Sequence, residues 1–279
     1  MSWTKVTVTV PDVNQAYKSG NYDFSAPAVK NANVNMMKKI LSSYSGSITK
    51  YGQALDIPDG VIISFIASES GGTPVQITNP SGAAKYDVWG IMAISPAAFY
   101  DAVTKWGNHV KTEPIPDVIK QKINEKIPGL LKTPSSFPKD QIRNILKSDQ
   151  DFNTMAGCMV LRWLFERFSV LGVTLFNKAI VSYNAGLYQS FLVQNKTTPN
   201  LTPVDTAVLI KDTKVPLESR SYLLKVLGKD GFMDLYYGQN LVNPSKDNAL
   251  VPATNPAAGT AAGTIVGNIM ASVARSISQ

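Results

Sequence analysis

Apolar positions recur at helical spacing along most of the chain, in blocks separated by stretches rich in proline and glycine. Val34, Met36, Met37, Ile40, Leu41, Tyr44, Ile48 and Tyr51 form one stripe, which predicts a helix over about residues 31–56. A denser block follows, Val61-Ile62-Ile63-Ser64-Phe65-Ile66-Ala67-Ser68-Glu69-Ser70, with Asp56 and Asp59 around Pro58 suited to its first turn and Gly71-Gly72 to its end. Phe152, Met155, Ala156, Met159, Val160, Trp163, Leu164 and Phe168 predict a long helix over about 152–168. Further helices are expected over about 174–184 and 217–228. Strand signals are few. Val6-Thr7-Val8-Thr9-Val10 alternates at the strand period, then gives way to a polar stretch with Pro11, Gly20 and Pro27, so it reads as an arm outside the core. Residues 73–88, with Pro74, Asn79, Pro80 and Gly82, read as loop or a short hairpin. The pattern therefore predicts a mainly α fold with a small loop or β-hairpin region.

Three segments follow from these blocks: an N-terminal arm over residues 1–34, a body over 35–238 and a C-terminal tail over 239–279. The tail carries Pro244, Pro252 and Pro256, then a small, nearly uncharged run from Ala257 to Met270 whose three glycines weaken any isolated helix. It reads as an assembly contact, with contact to lipid as the second reading. Inside the body, residues 100–150 are rich in lysine and broken by Pro114, Pro116, Pro128, Pro134 and Pro138, which predicts short surface helices of no evident function. Arg162 and Glu166 lie one helical turn apart, away from the apolar stripe, and read as a solvated ion pair.

At 279 residues, 44% of them apolar and 17% charged, the chain can bury a proper core. A single cysteine, Cys158, excludes an internal disulfide framework and reads as core filler. A single histidine, His109, in a polar and loop-like stretch, leaves no His/Cys cluster for zinc, so neither a metal nor another cofactor is expected. Ser-His-Asp chemistry is disfavoured for the same reason. The net charge of +7 and the pI near 9.3 favour anionic partners. The lysines are dispersed, with no basic run interleaved with aromatics, so nucleic acid is not the expected partner. Met1-Ser2-Trp3-Thr4-Lys5-Val6 has no apolar signal-peptide core, and no apolar run reaches spanning length. The expectation is a chain made in a cytoplasm without a conventional export signal.

Glu69 is the leading candidate for chemistry. Ile62, Phe65 and Ile66 precede it by seven, four and three residues, which places them on its own helical face. Such surroundings disfavour the ionised carboxylate and suit a proton donor; the ordinary alternative is a surface glutamate beside a helix end. Three later segments read in order with it: Gly90-Ile91-Met92-Ala93-Ile94, Tyr183-Asn184-Ala185-Gly186, and Pro216-Leu217-Glu218-Ser219-Arg220-Ser221-Tyr222. Together with Glu69-Ser70-Gly71, this order resembles the catalytic domain of soluble lytic transglycosylases, in the lysozyme-like superfamily that includes goose-type lysozyme, over about residues 35–238.

The resemblance implies a lysozyme-like helical domain in which Glu69 is the single acid and later the base, with Ser70 placed to touch substrate. It implies that Gly90, Ile91 and Met92 line a glycan groove and that Tyr183 and Asn184 hold the sugar. Tyr222 would help orient the catalytic carboxyl, and Asn153 matches a structural asparagine. Two features depart from the family pattern: Ala93 stands where glutamine is usual, and the lysine-rich stretch between Met92 and Asn153 is longer than the usual link. The implied reaction cleaves the bond between N-acetylmuramic acid and N-acetylglucosamine with closure of a 1,6-anhydro ring. A hydrolase of inverting or covalent type would need a second carboxylate. Asp87 is the candidate, although a surface aspartate in a turn is its better reading. The expected partners are peptidoglycan strands and, through the termini, other virion or tail proteins. The expected setting is a phage virion that opens the host wall during genome entry. A virion structural protein with a degenerate domain, or a hydrolytic muramidase or endolysin, are the alternatives.

Overall fold

The computed structural model describes residues 3–77, 87–110, 113–132, 137–186, 189, 191–195 and 198–241. The tail from 242 onward, with the assembly and lipid readings attached to it, lies outside the described residues. In chain order the elements are β1 (Lys18–Ser19), β2 (Tyr22–Asp23), α1 (Pro27–Leu55), α2 (Asp59–Ser70), β3 (Val75–Ile77), β4 (Val88–Gly90), α3 (Pro96–Thr104), α4 (Trp106–His109), α5 (Asp117–Lys126), α6 (Lys139–Ser148) and α7 (Gln150–Arg167). They continue with β5 (Ser169–Val170), β6 (Val173–Thr174), α8 (Phe176–Ala185), β7 (Val193–Asn195), β8 (Thr198–Pro199), α9 (Thr206–Leu209), α10 (Leu217–Leu227) and α11 (Phe232–Gly238). Among the described residues consecutive strands pair antiparallel into four two-stranded ribbons, and helices make up most of the structure, so the fold is mainly helical. Among the described residues no helix is long and apolar enough to cross a membrane.

The chain divides into two compact units, one of Met1–Trp3 and Asn33–Trp163, the other of Thr4–Ala32 and Leu164–Gln279. The boundaries between the units fall within α1 and α7.

In the first unit the helical stripe of α1 buries Met37, Ile40, Ile48, Tyr51 and Leu55, and α2 is buried at every position from Gly60 to Ala67. The lysine-rich stretch folds as α3 to α6. These are short helices, as the prolines predict, but they are not a surface decoration. Spacing of four places Ile119 and Ile123 on one face of α5, and Ile142 and Leu146 on one face of α6, and all four are fully buried. His109 ends the helical turn α4 and does not sit in a loop; its side chain lies outside the described residues. Cys158 is fully buried in α7, and burial pushes its thiol well above the usual range. Arg162 is fully buried as well, with its guanidinium 4.9 Å from the centre of the Trp3 ring and a bond to the Asp56 carbonyl at 3.4 Å. The solvated surroundings read from the sequence for Arg162 are thereby corrected: its cation is buried against an aromatic face.

The second unit takes in the segment read as an arm. Val6, Val8, Val10 and Val13 are buried, so alternation along this stretch marks core positions. It forms no ladder, because its partners are isolated bridges, Lys5 with Val173 and Val13 with Gly228. Glu166 accepts from Thr4 N at 3.0 Å and from its hydroxyl at 2.6 Å. Asp12 N donates to the Leu227 carbonyl at 2.9 Å, Phe24 stands edge-on to Phe232 at 5.3 Å, and Lys30 pairs with Asp230 at 2.7 Å. Residues 4–32 are thus a strap packed along α10 and α11, held by a sequence-distant surface that periodicity cannot reveal.

Candidate functional site

Glu69 occupies the last turn of α2, as the glycine pair predicts. Gly71 adopts the left-handed conformation, φ 60°, and its N–H returns to the Ala67 carbonyl at 3.3 Å, which ends the helix. Ile62, Phe65 and Ile66 are completely buried and Glu69 is half-buried. The helix is apolar all round up to its final turn, so the stripe seen in the sequence is the part of a core helix nearest the carboxyl.

The next segment is a tight turn. Trp89 N donates to the Ile94 carbonyl at 3.1 Å, Ile94 N returns to Trp89 at 3.0 Å, and Ala93 N donates to the Gly90 carbonyl at 3.3 Å. Gly90 has φ 80°, and a Cβ built on it would lie 2.1 Å from Nδ2 of Asn153, so glycine is required on both grounds. Asn153 is fully buried. Its Oδ1 accepts from Met92 N at 2.9 Å, and its Nδ2 donates to the carbonyls of Trp89 at 2.7 Å and Leu146 at 3.2 Å. One turn earlier on α7, Gln150 Oε1 accepts from Ile91 N at 3.1 Å. Two side-chain amides at spacing i, i+3 therefore seat the inward N–H groups of the turn.

The same turn grips the helix that bears the acid. The Ser70 hydroxyl donates to the Ile91 carbonyl at 2.7 Å, has the Ile66 carbonyl at 3.1 Å, and accepts from Gly72 N at 3.1 Å. A hydroxyl has one proton, and here it is committed to the protein. Ser70 thus ties α2 to the turn. Ile91 and Met92 are fully buried, and Gly90 is buried too. Met92 packs where Gly157 leaves room, since a Cβ there would meet its sulfur at 2.2 Å. These residues are core under the turn. Ala93, half-exposed in the left-handed region at φ 49°, is the turn's outward member.

Asp87 is not the exposed turn residue that the sequence suggested. Its side chain is 16% exposed and meets Arg143 at 2.7 and 3.0 Å, Lys139 at 3.3 Å and the Trp89 indole N–H at 2.6 Å. The Arg143 guanidinium, ahead of the opposing effect of burial, holds its carboxyl far below the usual range. A carboxylate so engaged is a poor proton donor and has little free basicity. A depressed carboxylate contributes stability that is present above its unfolded pKa and is lost as pH falls towards the folded value. Asp87→Asn should therefore cost about 1 kcal/mol at pH 7, allowing for the partly solvated partners. The difference from the parent chain should shrink as the pH drops below about 4. Urea melts across that range check it, and a pH-independent difference would contradict the assignment.

A second set of ion pairs fixes the start of α7. Lys122 lies 2.8 Å from Asp151 and 3.4 Å from Asp149, and Lys126 lies 3.2 Å from Asp149. Although partial burial acts against ionisation, the Phe152 N–H and these lysines hold Asp149 below the usual range, and Lys122 does the same for Asp151. Asp151 also accepts from Tyr51 at 2.9 Å and Ser47 at 2.7 Å. Cations of the lysine-rich stretch thus clamp the helix whose first turn carries Gln150 and Asn153.

In the second unit Tyr183 and Asn184 lie half-buried in the last turn of α8, and Tyr222 is buried in α10 at 4% exposure. These two helices pack together, and the Ser219 hydroxyl, itself buried, donates to Asn184 Oδ1 at 2.7 Å. Lys178 of α8 is also buried; its ammonium donates to the Asn200 carbonyl at 2.6 Å, and burial pushes its pKa down to about 8.

In the first unit Ser70, Gly90, Ile91 and Met92 meet at the turn seated on Asn153, with Glu69 beside Ser70 in α2; in the second, the helices that carry Tyr183, Asn184 and Tyr222 pack together. Sequence reading missed Gln150 and the role of Ser219, since neither polar residue stands out without its partner. Among the described residues no group of three or more His, Cys, Asp or Glu side chains could hold a metal ion. No protein-family model matches the chain, and no curated protein or solved structure matches it either.

Proposed function

We propose that the protein is a peptidoglycan lytic transglycosylase that cleaves the β-1,4 bond between N-acetylmuramic acid and N-acetylglucosamine. The observation that carries this reading is the half-buried carboxyl of Glu69 at the end of a core helix whose last turn is bonded, through Ser70, to a turn seated on Asn153. Such a frame holds one carboxyl in a defined place, which is what acid and then base catalysis by a single group needs. Glu69 would protonate the glycosidic oxygen as the bond to C1 breaks, with the N-acetyl carbonyl of muramic acid stabilising the positive charge. The resulting carboxylate would then take the proton from the 6-hydroxyl as its oxygen bonds to C1. No water is consumed, and Glu69 ends protonated as it began. The ion-paired state of Asp87 favours this course over one that needs a second free carboxylate.

Mass analysis of products from purified murein tests the reading. We expect muropeptides with 1,6-anhydro ends; reducing ends would indicate a hydrolytic muramidase. Absence of any release would favour a virion structural protein with a degenerate domain, a reading to which Ala93, in place of the family's glutamine, gives some weight. The setting we propose is a phage virion acting on the host wall during genome entry, with the net charge of +7 suited to an anionic envelope.

A further inference from the structure

We infer that Gln150 is a positioning residue: its side-chain amide, set against the end of α6, holds the turn that fixes the end of α2 and with it the place of the Glu69 carboxyl. The catalytic part of the inference rests on the proposed function, and it gives the lysine-rich stretch a part in the site.

Every step of the path lies within the first unit. Helix α6 ends at Ser148, and the carbonyls of a last turn have no partner inside their own helix. Two of them take side-chain amides from α7: Gln150 Nε2 donates to the Lys147 carbonyl at 3.0 Å, and Asn153 Nδ2 to that of Leu146 at 3.2 Å. An amide whose donor end is fixed has its acceptor end fixed as well. Both acceptors accordingly face the turn, where Gln150 Oε1 takes the Ile91 N–H at 3.1 Å and Asn153 Oδ1 takes that of Met92 at 2.9 Å. These N–H groups belong to successive peptide planes that meet at the Ile91 Cα. The second plane also carries the Ile91 carbonyl, which accepts from the Ser70 hydroxyl at 2.7 Å. Asn153 alone would leave the turn hinged at Ile91; Gln150 holds the other plane and so aims that carbonyl at Ser70. Ser70 in turn accepts from Gly72 N at 3.1 Å, just past the left-handed Gly71 that ends α2. Glu69 directly precedes Ser70, so loosening this path loosens the backbone that carries the carboxyl. Gln150 is itself half-exposed, and its hydrogen bonds count for more than its packing.

The test compares two variants of the full chain. Gln150→Met keeps the length of the side chain and removes both ends of the amide, whereas Gln150→Glu keeps an acceptor for Ile91 and suits the first turn of α7. Amide hydrogen exchange of Gly71, whose N–H closes α2 on the Ala67 carbonyl, should quicken about fivefold in Gln150→Met, the weight of one neutral hydrogen bond. With soluble glycan strands from murein, kcat per folded molecule should fall about tenfold while KM stays within about twofold, since an ångström of misplacement costs up to about 10²-fold. Gln150→Glu should return both readings towards those of the parent. A merely structural role would lower Tm and leave both readings, taken well below the melt, at parent values. That result overturns the inference, as does a Glu variant no better than Met. Should Gln150→Met fail to fold, exchange in the parent chain decides: the Ile91 and Gly71 N–H groups must open together, and an Ile91 that exchanges more than about tenfold faster overturns the inference. If the parent chain cleaves no murein, the proposed function falls, and exchange at Gly71 still decides whether Gln150 holds the end of α2.

Discussion

Glu69→Gln should abolish release of muropeptides from murein, lowering the rate by about 10³-fold or more. Positioned general acid–base catalysis contributes roughly 10²- to 10⁴-fold, and a residue that acts in both halves of the reaction belongs at the upper end. Glutamine keeps the shape of the side chain and loses only the transferable proton. The stability of the fold should be nearly unchanged, because Glu69 lies beyond the buried stretch Gly60–Ala67 and Ser70 retains its bond to Ile91. Measured rates should be set beside circular dichroism melts of the same preparations. Asp87→Asn is the matched comparison: it should lose stability and keep most of the activity, since its carboxylate is committed to Arg143 and Lys139. The assignment of Glu69 does not survive a Gln variant that cleaves within about tenfold of the parent, nor a reversal of the order between the two substitutions.

Gly90→Ala should be the most damaging small substitution in the first unit. Its φ of 80° lies in the region that L-residues avoid, at a cost of roughly 1–2 kcal/mol. The added methyl would also sit 2.1 Å from Asn153 Nδ2, whose side chain holds Met92 N, the Trp89 carbonyl and the Leu146 carbonyl. Displacing a buried amide from such partners costs a further 1–3 kcal/mol or so. The sum, about 3 kcal/mol, corresponds to a fall in Tm of roughly 6–12 °C for a protein of this size. Gly129 supplies the control. Its φ is 87°, yet nothing lies within 4 Å of the position of an added Cβ, so Gly129→Ala should show the backbone cost alone. Equal shifts from the two variants would mean that Asn153 does not lock the turn. If the turn also sets the end of α2, Gly90→Ala should lose murein cleavage at temperatures where it remains folded.

Much of the helical framework was legible because its causes are local. The stripe from Val34 to Tyr51 and the series from Phe152 to Phe168 declare α1 and α7 through spacing alone, and Gly71 marks the end of α2. The errors share one origin, a partner distant in sequence. The Val6 to Val10 alternation predicts an arm outside the core, although its valines are buried and the flanking backbone of Lys5 and Asp12 meets Val173 and Leu227. Arg162, read as solvated through its neighbour Glu166, is buried over Trp3. The lysines of α5 and α6, read as surface charge, meet Asp149, Asp151 and Asp87, which no helical spacing links to them.

Of the candidate site, sequence by itself determined the types of residue available and their placement at helix ends: one carboxyl in the last turn of an apolar helix, a glycine where a turn must reverse, and an asparagine at the start of a long helix. Those features depend on spacing, capping and the conformational range of glycine, all written within a few residues. Only the tertiary structure decided what each polar group does. Ser70, Gln150, Asn153 and Ser219 each have a choice of acceptors and donors, and the choice is made by whichever backbone or side chain folding brings within about 3 Å. A hydrogen bond acts over one contact distance, and contacts between residues 21 to 61 positions apart arise from packing and not from local pattern.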